Sequence, residues 1–282
     1  MKVHIIGLGL IGGSFTLGLR REFPEVEISG SDANEAHLDK AQKLRLIDRP
    51  AGLEALDHAD VVIIAVPVDV AKKVAVEVLD KVRANTLVFD AGSTKSGLCE
   101  AIEQHPNRRN FLAAHPIAGT EFSGPSAAVE DLFRNKTNII CEVEKTAFKL
   151  QERGLEIFQK LGMRIRYMDP KSHDRHIAYV SHLSHISSFM LGKTVLQKEQ
   201  NEKDIFDLAG SGFASTVRLA KSSPAMWTPI FQQNKGNILE TLEEYISNLT
   251  KFKNLIENDD FQEVFLEMER TNHIKTILNG IN

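Results

Sequence analysis

Thiols, tryptophan and long apolar runs are scarce in this chain. It has two cysteines, Cys99 and Cys141, with no C-x-x-C spacing. That excludes a disulfide framework and a cysteine-rich metal site, and it fits a reducing cytoplasm. No apolar run reaches the roughly 18 residues of a membrane span without glycine breaks, so no membrane partner is expected. Lys2 and the apolar stretch to Leu19 have the look of a secretory signal. The glycines within that stretch, and the lack of an A-x-A-like cleavage site before Arg20-Arg21, argue against one. A basic excess is also missing. The net charge is −4, which gives no footprint for nucleic acid. Residues 240–282, with nine acids against four bases, carry more than the whole imbalance and read as solvated helix faces. There is no internal repeat and no low-complexity segment.

What is present begins at the first residues. Val3-His4-Ile5-Ile6 is a short apolar run, followed at once by Gly7-Leu8-Gly9-Leu10-Ile11-Gly12. A second strand-like run, Val26 to Gly30, leads to Asp32, twenty residues beyond Gly12. Strand, G-x-G-x-x-G turn, helix, strand and acid, in that order, form a dinucleotide-binding fingerprint. Gly7 permits the turn, Gly9 lets backbone approach a pyrophosphate, and Gly12 lets helix and strand lie close. The helix N-terminus, with Leu10 and Ile11, offers N–H groups to phosphate. A carboxylate at Asp32 accepts from a ribose 2′-hydroxyl and repels a 2′-phosphate, so NAD is expected over NADP.

At 282 residues and 42% hydrophobic content, the chain allows one large domain or two ordinary ones. Up to about residue 168, strands and helices alternate. Strand-like runs recur at 60–67, 86–90, 111–114, 138–143 and 164–168, with helical segments over about 68–81 and 146–161. This pattern predicts an α/β, mostly parallel, doubly wound sheet over 1–168. Ligands of such sheets bind at the carboxyl ends of strands, which puts Gly7–Gly12, Val66-Pro67, Ser93 and His115 along one crevice. From Asp169-Pro170 onward helical periodicity dominates, near 171–199, 202–221, 236–257 and 259–279, with breaks at Gly210-Ser211-Gly212 and Ser222-Ser223-Pro224. An all-α domain over 169–282 is expected. Its apolar faces are hard to bury in so small a unit, which suggests a homodimer formed through this half.

Four elements could carry chemistry. His115 ends a strand and could take a proton from a hydroxyl being oxidised, or could be a structural histidine. Ser93 could orient His115 or the nicotinamide carboxamide, whereas Ser93 or Ser96 could simply cap a helix starting near Ser96. His182 and His185 share one helix face, with His173 and His176 repeating the spacing. A metal pair is conceivable. H-E-x-x-H is absent and no carboxylate stands at ligand spacing, so no metal is expected, and hydrogen bonding to an anionic substrate is preferred. One of the pair could serve only helix packing. Arg218, beyond Gly210-Ser211-Gly212, could fork onto a carboxylate or be an ordinary surface arginine.

Together these motifs resemble the prephenate/arogenate dehydrogenase family over nearly the whole chain. The resemblance rests on Gly-Leu-Gly-Leu-Ile-Gly-Gly at 7–13, Asp-Ala-Gly-Ser-Thr-Lys at 90–95 and His-Pro-Ile-Ala-Gly-Thr-Glu at 115–121. Ser-His-Leu-Ser-His at 181–185 and Arg-Leu-Ala-Lys-Ser-Ser-Pro-Ala-Met-Trp at 218–227 complete it. It implies a Rossmann-type N-terminal domain, a helical dimerisation domain, and NAD-dependent oxidative decarboxylation of prephenate in tyrosine biosynthesis. Arogenate is the alternative substrate, and a hydroxyacid dehydrogenase the more distant reading. The implied roles are His115 on the ring hydroxyl, Ser93 bridging that histidine and the nicotinamide, and Arg218 on the ring carboxylate. His185 and Thr120 would line the side-chain pocket. Trp227 would stand near the active site, from this subunit or its partner. Ala214-Ser215 replaces a basic–acidic pair of many relatives, which puts ionic gating through Glu121 in doubt. The chain also leaves no room for an appended regulatory domain or a fused chorismate mutase.

Overall fold

The computed structural model describes residues 1–202 and 204–279. Position 203, inside the helical segment expected over 202–221, and positions 280–282 lie outside the described residues. The sheet has eight strands: β1 (Lys2–Ile6), β2 (Glu27–Ser31), β3 (Arg49–Pro50), β4 (Val61–Ile64), β5 (Leu87–Asp90), β6 (Phe111–Pro116), β7 (Thr137–Cys141) and β8 (Arg164–Met168). Their order is β3-β2-β1-β4-β5-β6-β7-β8. Strands β1 to β6 run parallel, β7 turns back antiparallel to β6, and β8 is parallel to β7. The order reverses at β1, which lies between β2 and β4, and that switch point opens the crevice at the strands' carboxyl ends. The structure is therefore the doubly wound, Rossmann-type architecture expected, with the short edge strand β3 added.

Side-chain alternation explains why β4 reads as an unbroken apolar run. Val61 and Ile63 enter the core on one face of the sheet, and Val62 and Ile64 enter the core on the other. The first core packs α1 (Leu10–Glu22) through Phe15 and Leu19 and α5 (Phe148–Lys160) through Leu150, Ile157 and Phe158. Phe15 meets Phe89 edge-on at 5.5 Å, and Phe89 meets Phe158 at 5.0 Å. The second core packs α3 (Val68–Leu79) through Ala75, Val78 and Leu79 and α4 (Ser96–Ile102) through Leu98, Cys99 and Ile102. The helix α2 (Glu35–Lys43) crosses between β2 and β3, its N-terminus capped by Asn34.

Beyond Asp169, which caps it through Lys171 and Ser172 N–H, α6 (Pro170–Ile177) runs through a π turn (Ala178–His182) into α7 (Leu183–Glu199). The helical segment expected over 202–221, with its break at Gly210-Ser211-Gly212, consists of α8 (Ser211–Thr216) and flanking 3₁₀ turns, Phe206–Leu208 and Arg218–Lys221. Gly210 stands at that break, just before α8, and Gly212 lies within α8. Then α9 (Pro224–Gln233) forms with proline in its first turn, where the missing N–H costs nothing. Its Trp227 and Ile230 cluster with Val68 of α3. That packing draws the helices through α9 into one compact unit with the sheet, Met1–Lys235, and Gly236–Asn282 forms a second unit. The division falls later in the chain than residue 168. The second unit holds α10 (Lys235–Glu257) from its second residue, α11 (Phe261–Thr271) and α12 (Ile274–Leu278), with Leu249, Ile256, Phe265, Met268 and Ile277 exposed. Among the described residues no helix is long and apolar enough to cross a membrane.

Candidate active site

The crevice at the sheet switch point is shaped by three glycines. Gly7 has φ +94°, and a Cβ there would lie 2.4 Å from the Ala65 carbonyl oxygen. A Cβ on Gly12 would lie 1.9 Å from the Gly7 carbonyl oxygen. A Cβ on Gly9 would meet nothing within 4 Å. Two glycines are thus forced by backbone contact, while the third faces open space at the N-terminus of α1. No side chain caps that helix and no acid stands in its first turn. This is the uncapped positive end a pyrophosphate needs. Asp32 accepts from Leu8 N–H at 2.8 Å through one oxygen and from Asn34 N–H through the other, which fixes the carboxylate beside the glycine turn. Val66 adjoins Gly7, and Pro67 starts α3 from the neighbouring strand end. These residues fit a dinucleotide with an unsubstituted ribose.

Further along the same edge, Asp90 and Lys95 flank Ser93 as a fully buried ion pair. Lys95 Nζ also donates to the Ala114 carbonyl at 2.7 Å, and Asp90 Oδ1 accepts from Ala114 N–H at 3.2 Å. The backbone just before His115 is therefore clamped on both sides. His115 lies buried at the end of β6, its Nδ1 2.8 Å from Nε2 of His173 on α6. Burial first, then neighbouring His173, Lys95 and His182, push its pKa well below the ordinary imidazole range. His173 Nδ1 in turn lies 2.8 Å from Asp174 Oδ1.

Asp174 also accepts from Lys95 N–H at 2.8 Å and Ser96 N–H at 2.9 Å. Burial opposes its ionisation, but His173 and these two N–H donors hold its carboxyl below the usual range. The start of α4 is thus capped by a carboxylate from far along the chain, and neither Ser93 nor Ser96 serves as the side-chain cap. Ser93, half-buried, makes no hydrogen bond to His115 among the described residues. The Nδ1 of His115 is met by His173.

The π turn has a geometric consequence. In an ideal α-helix, His173 and His185 would stand roughly 120° apart about the axis, and one residue taken up by the turn cuts this to roughly 20°. His182 and His185 both meet Trp227 of α9. His185 stacks on it at 3.5 Å between ring centroids, and His182 meets it edge-on at 5.9 Å. His182 is fully buried and its Nδ1 lies 3.2 Å from Asn234 Nδ2, so it is the packing member of the pair. Burial lowers its pKa to about 4. His185 is held by the Ser181 carbonyl at 2.9 Å through Nδ1. Its pKa is lowered by burial, opposed by that carbonyl, and lowered further by nearby Arg218. Arg218 opens its 3₁₀ turn half-exposed and reaches Glu121 at 3.3 Å. Glu121 therefore has a cationic partner even with Ala214-Ser215 in place. Thr120 Oγ1 accepts from Phe122 N–H within its own loop.

Of the second histidine pair, His173 is engaged on both sides and His176 is exposed. Sequence reasoning missed His173 and Asp174 as site residues. Their one available signal was position, just inside a helix beginning at the Asp169-Pro170 start signal.

Fold and site together define an oxidoreductase of the dinucleotide-binding, Rossmann-type class, with helices completing the site. The family model for the prephenate dehydrogenase nucleotide-binding domain matches residues 15–167, and that for the prephenate dehydrogenase dimerization domain matches 169–270. The chain is 32% identical over 267 residues to the prephenate dehydrogenase of Bacillus subtilis, covering 93% of this chain and 72% of the relative. The crystal structure of prephenate dehydrogenase from A. aeolicus in complex with hydroxyphenyl propionate and NAD+ matches with a TM-score of 0.90 and 31% identity, over 99% of this chain and 98% of that one. Synechocystis arogenate dehydrogenase matches with a TM-score of 0.78 and 27% identity, over 99% and 100%. The chain belongs to the prephenate dehydrogenase family.

Proposed function

We propose that this protein is an NAD-dependent, cytoplasmic prephenate dehydrogenase acting in tyrosine biosynthesis. The observation that carries the reading is His115: buried, held neutral, and set at the end of β6 on the same sheet edge as the Gly7–Gly12 crevice. The cofactor residues of this reading are Gly7, Gly9, Leu10, Ile11, Gly12, Asp32, Val66, Pro67 and Ser93. NAD, when bound, accepts the hydride from the carbon that bears the substrate's ring hydroxyl. His115 takes the hydroxyl proton on Nε2 as that hydride leaves. The ring carboxylate departs as CO₂, its bonding pair entering the ring, and the proton on His115 returns to the resulting phenolate oxygen. Arg218 has five N–H donors and gives one to Glu121, so it can fork onto the ring carboxylate. His185 and Thr120 face the pyruvyl side chain, Trp227 stacks behind His185 from the same subunit, and His182 supports both rings.

A functional division at 168/169 is supported by the two family matches, one ending at residue 167 and the other beginning at residue 169. The homodimer forms through the helical half, supported by the dimerization-domain match and by the exposed apolar side chains of α10 to α12. The test is NADH formation with NAD or NADP against prephenate or arogenate. Turnover with prephenate and NAD is expected. Turnover with arogenate alone would keep the mechanism and replace the substrate, and turnover only with simple hydroxy acids would overturn the reading.

A further inference from the structure

The chain His115–His173–Asp174 begins at the proposed base and runs away from the crevice to the N-terminus of α4. Each link fixes the next. Both oxygens of Asp174 receive backbone N–H donors, Lys95 N–H on Oδ1 and Ser96 N–H on Oδ2. An ionised carboxylate only accepts, so the hydrogen shared with His173 sits on His173 Nδ1. A neutral imidazole protonated there presents a bare Nε2. The 2.8 Å contact with His115 then takes its hydrogen from His115 Nδ1.

We propose that His173 and Asp174 are positioning residues that hold His115 in the Nδ1–H tautomer, leaving Nε2 as the acceptor for the substrate's hydroxyl proton. This deepens the dehydrogenase reading and rests on it for its catalytic consequence. The tautomer itself can be read without turnover. When Nε2 takes up a proton, His115 becomes a cation, and the ionised Asp174 lies one imidazole away to balance it. The other charged and titratable groups facing this ring are Lys95, after β5, and His182, in the π turn. Lys95 is neutralised by Asp90. Asp174 is thus the acid whose charge is directed at His115 through an oriented ring. The π turn serves the same end, bringing His173 and the substrate-facing His185 onto nearly one side of a continuous helix.

The first measurement is ¹⁵N NMR of the histidine-labelled protein with NAD present, at neutral pH. The expected pattern is a protonated Nδ1 and a bare Nε2 on His115. An Nε2–H tautomer would overturn the proposal, whatever substrate the enzyme takes. Two variants then test the consequence. His173→Phe removes the acceptor and should lower kcat about 10²-fold, between the roughly 10–100-fold of groups that orient a metal-bound imidazole and the roughly 10⁴-fold of an Asp in a catalytic triad. NAD affinity should stay unchanged. His173→Gln can accept from His115 through Oε1 and donate to Asp174 through Nε2, and should recover most of that loss. Equal activity of wild type and His173→Phe would refute the assignment. So would equal losses in the two variants with melting temperature and NAD binding intact, since that is what simple packing predicts. If no substrate is turned over but the Nδ1–H tautomer is found, the dehydrogenase reading fails and the hydrogen-bond chain stands.

Discussion

In the sheet half, the useful residues stand at strand ends whose geometry is set by a hydrogen-bonded ladder. Gly7 and Asp32 follow β1 and β2, Ser93 follows β5, and His115 lies within β6. In residues 170–235 they stand on a π turn, a 3₁₀ turn and a helix begun by proline. The first kind of placement follows from period-two alternation and the strand-end rule. The second depends on local departures from a regular helix and on contacts across some 80 residues of sequence, such as Asp174 with Lys95. In the proposed reading the sheet half supplies the base and the cofactor crevice, and the helices supply the groups that tune and aim them. Substitutions in the two regions should therefore fail in different ways.

The largest effect is expected at the base. His115→Asn keeps polarity but removes basicity, and should lower kcat by about 10²–10⁴ with NAD affinity nearly unchanged. Steady-state kinetics and NAD titration check this, and a near-normal kcat would remove His115 from the mechanism. Lys95→Met should fail differently, through folding. It leaves Asp90 buried and unpaired, a loss of about 3–5 kcal/mol of stability measurable by denaturant unfolding. A stable Lys95→Met protein would show that Ala114 N–H and Gly92 N–H suffice to hold the Asp90 carboxylate.

The legibility of each region follows the same line. The glycine turn, Asp32, β4 and the position of His115 could be read because each is fixed by residues within a few positions or by a repeating pattern. β8, at 164–168, was legible to the residue. His173 was not legible as a site residue, because its role depends on the contact between α6 and His115 at the end of β6, which no periodicity encodes. The same holds for α9. Ser222-Ser223-Pro224 reads as a break, and it is one, but Pro224 also opens the helix that carries Trp227 onto His185. In the segment 206–221 the break at Gly210 could be read, but the 3₁₀ form of Phe206–Leu208 and Arg218–Lys221 could not, because apolar spacing does not separate a 3₁₀ turn from an α-helix.

Arg218 lies on the helical side and should affect binding before chemistry. Arg218→Ala removes a charged fork from the substrate carboxylate, a loss of about 1.5–3 kcal/mol for hydrogen bonds to a charged group. That corresponds to KM for substrate rising roughly tenfold to a hundredfold, with a smaller change in kcat. An unchanged KM would assign the guanidinium to Glu121 alone.

The smallest effect offers the finest comparison, because each region holds a buried histidine whose pKa is lowered to about the same value. His4 in β1 and His182 in the π turn both have pKa values lowered from 6.5 to about 4, in each case chiefly by burial. The folded protein binds fewer protons at these sites than the unfolded chain, so their contribution to stability is complete above about pH 6.5. It is lost as pH falls toward about 4. The melting temperature should therefore drop across that window, and both His4→Gln and His182→Gln should flatten the drop. The two sites differ in what protonation does locally. His4 is met by the Ser29 and Ser31 hydroxyls, which can rotate to accept from a doubly protonated ring. His182 Nδ1 faces the Asn234 amide nitrogen, a donor that a protonated ring would oppose. Acid should thus disturb the packing around His182 and leave β1 in place. The chain has a single tryptophan, Trp227, lying edge-on to His182, so its emission reports that region alone. Its change between pH 6.5 and 4 should persist in His4→Gln and shrink in His182→Gln, to the part owed to His185. An equal change in both variants would mean that acid loosens the two regions together.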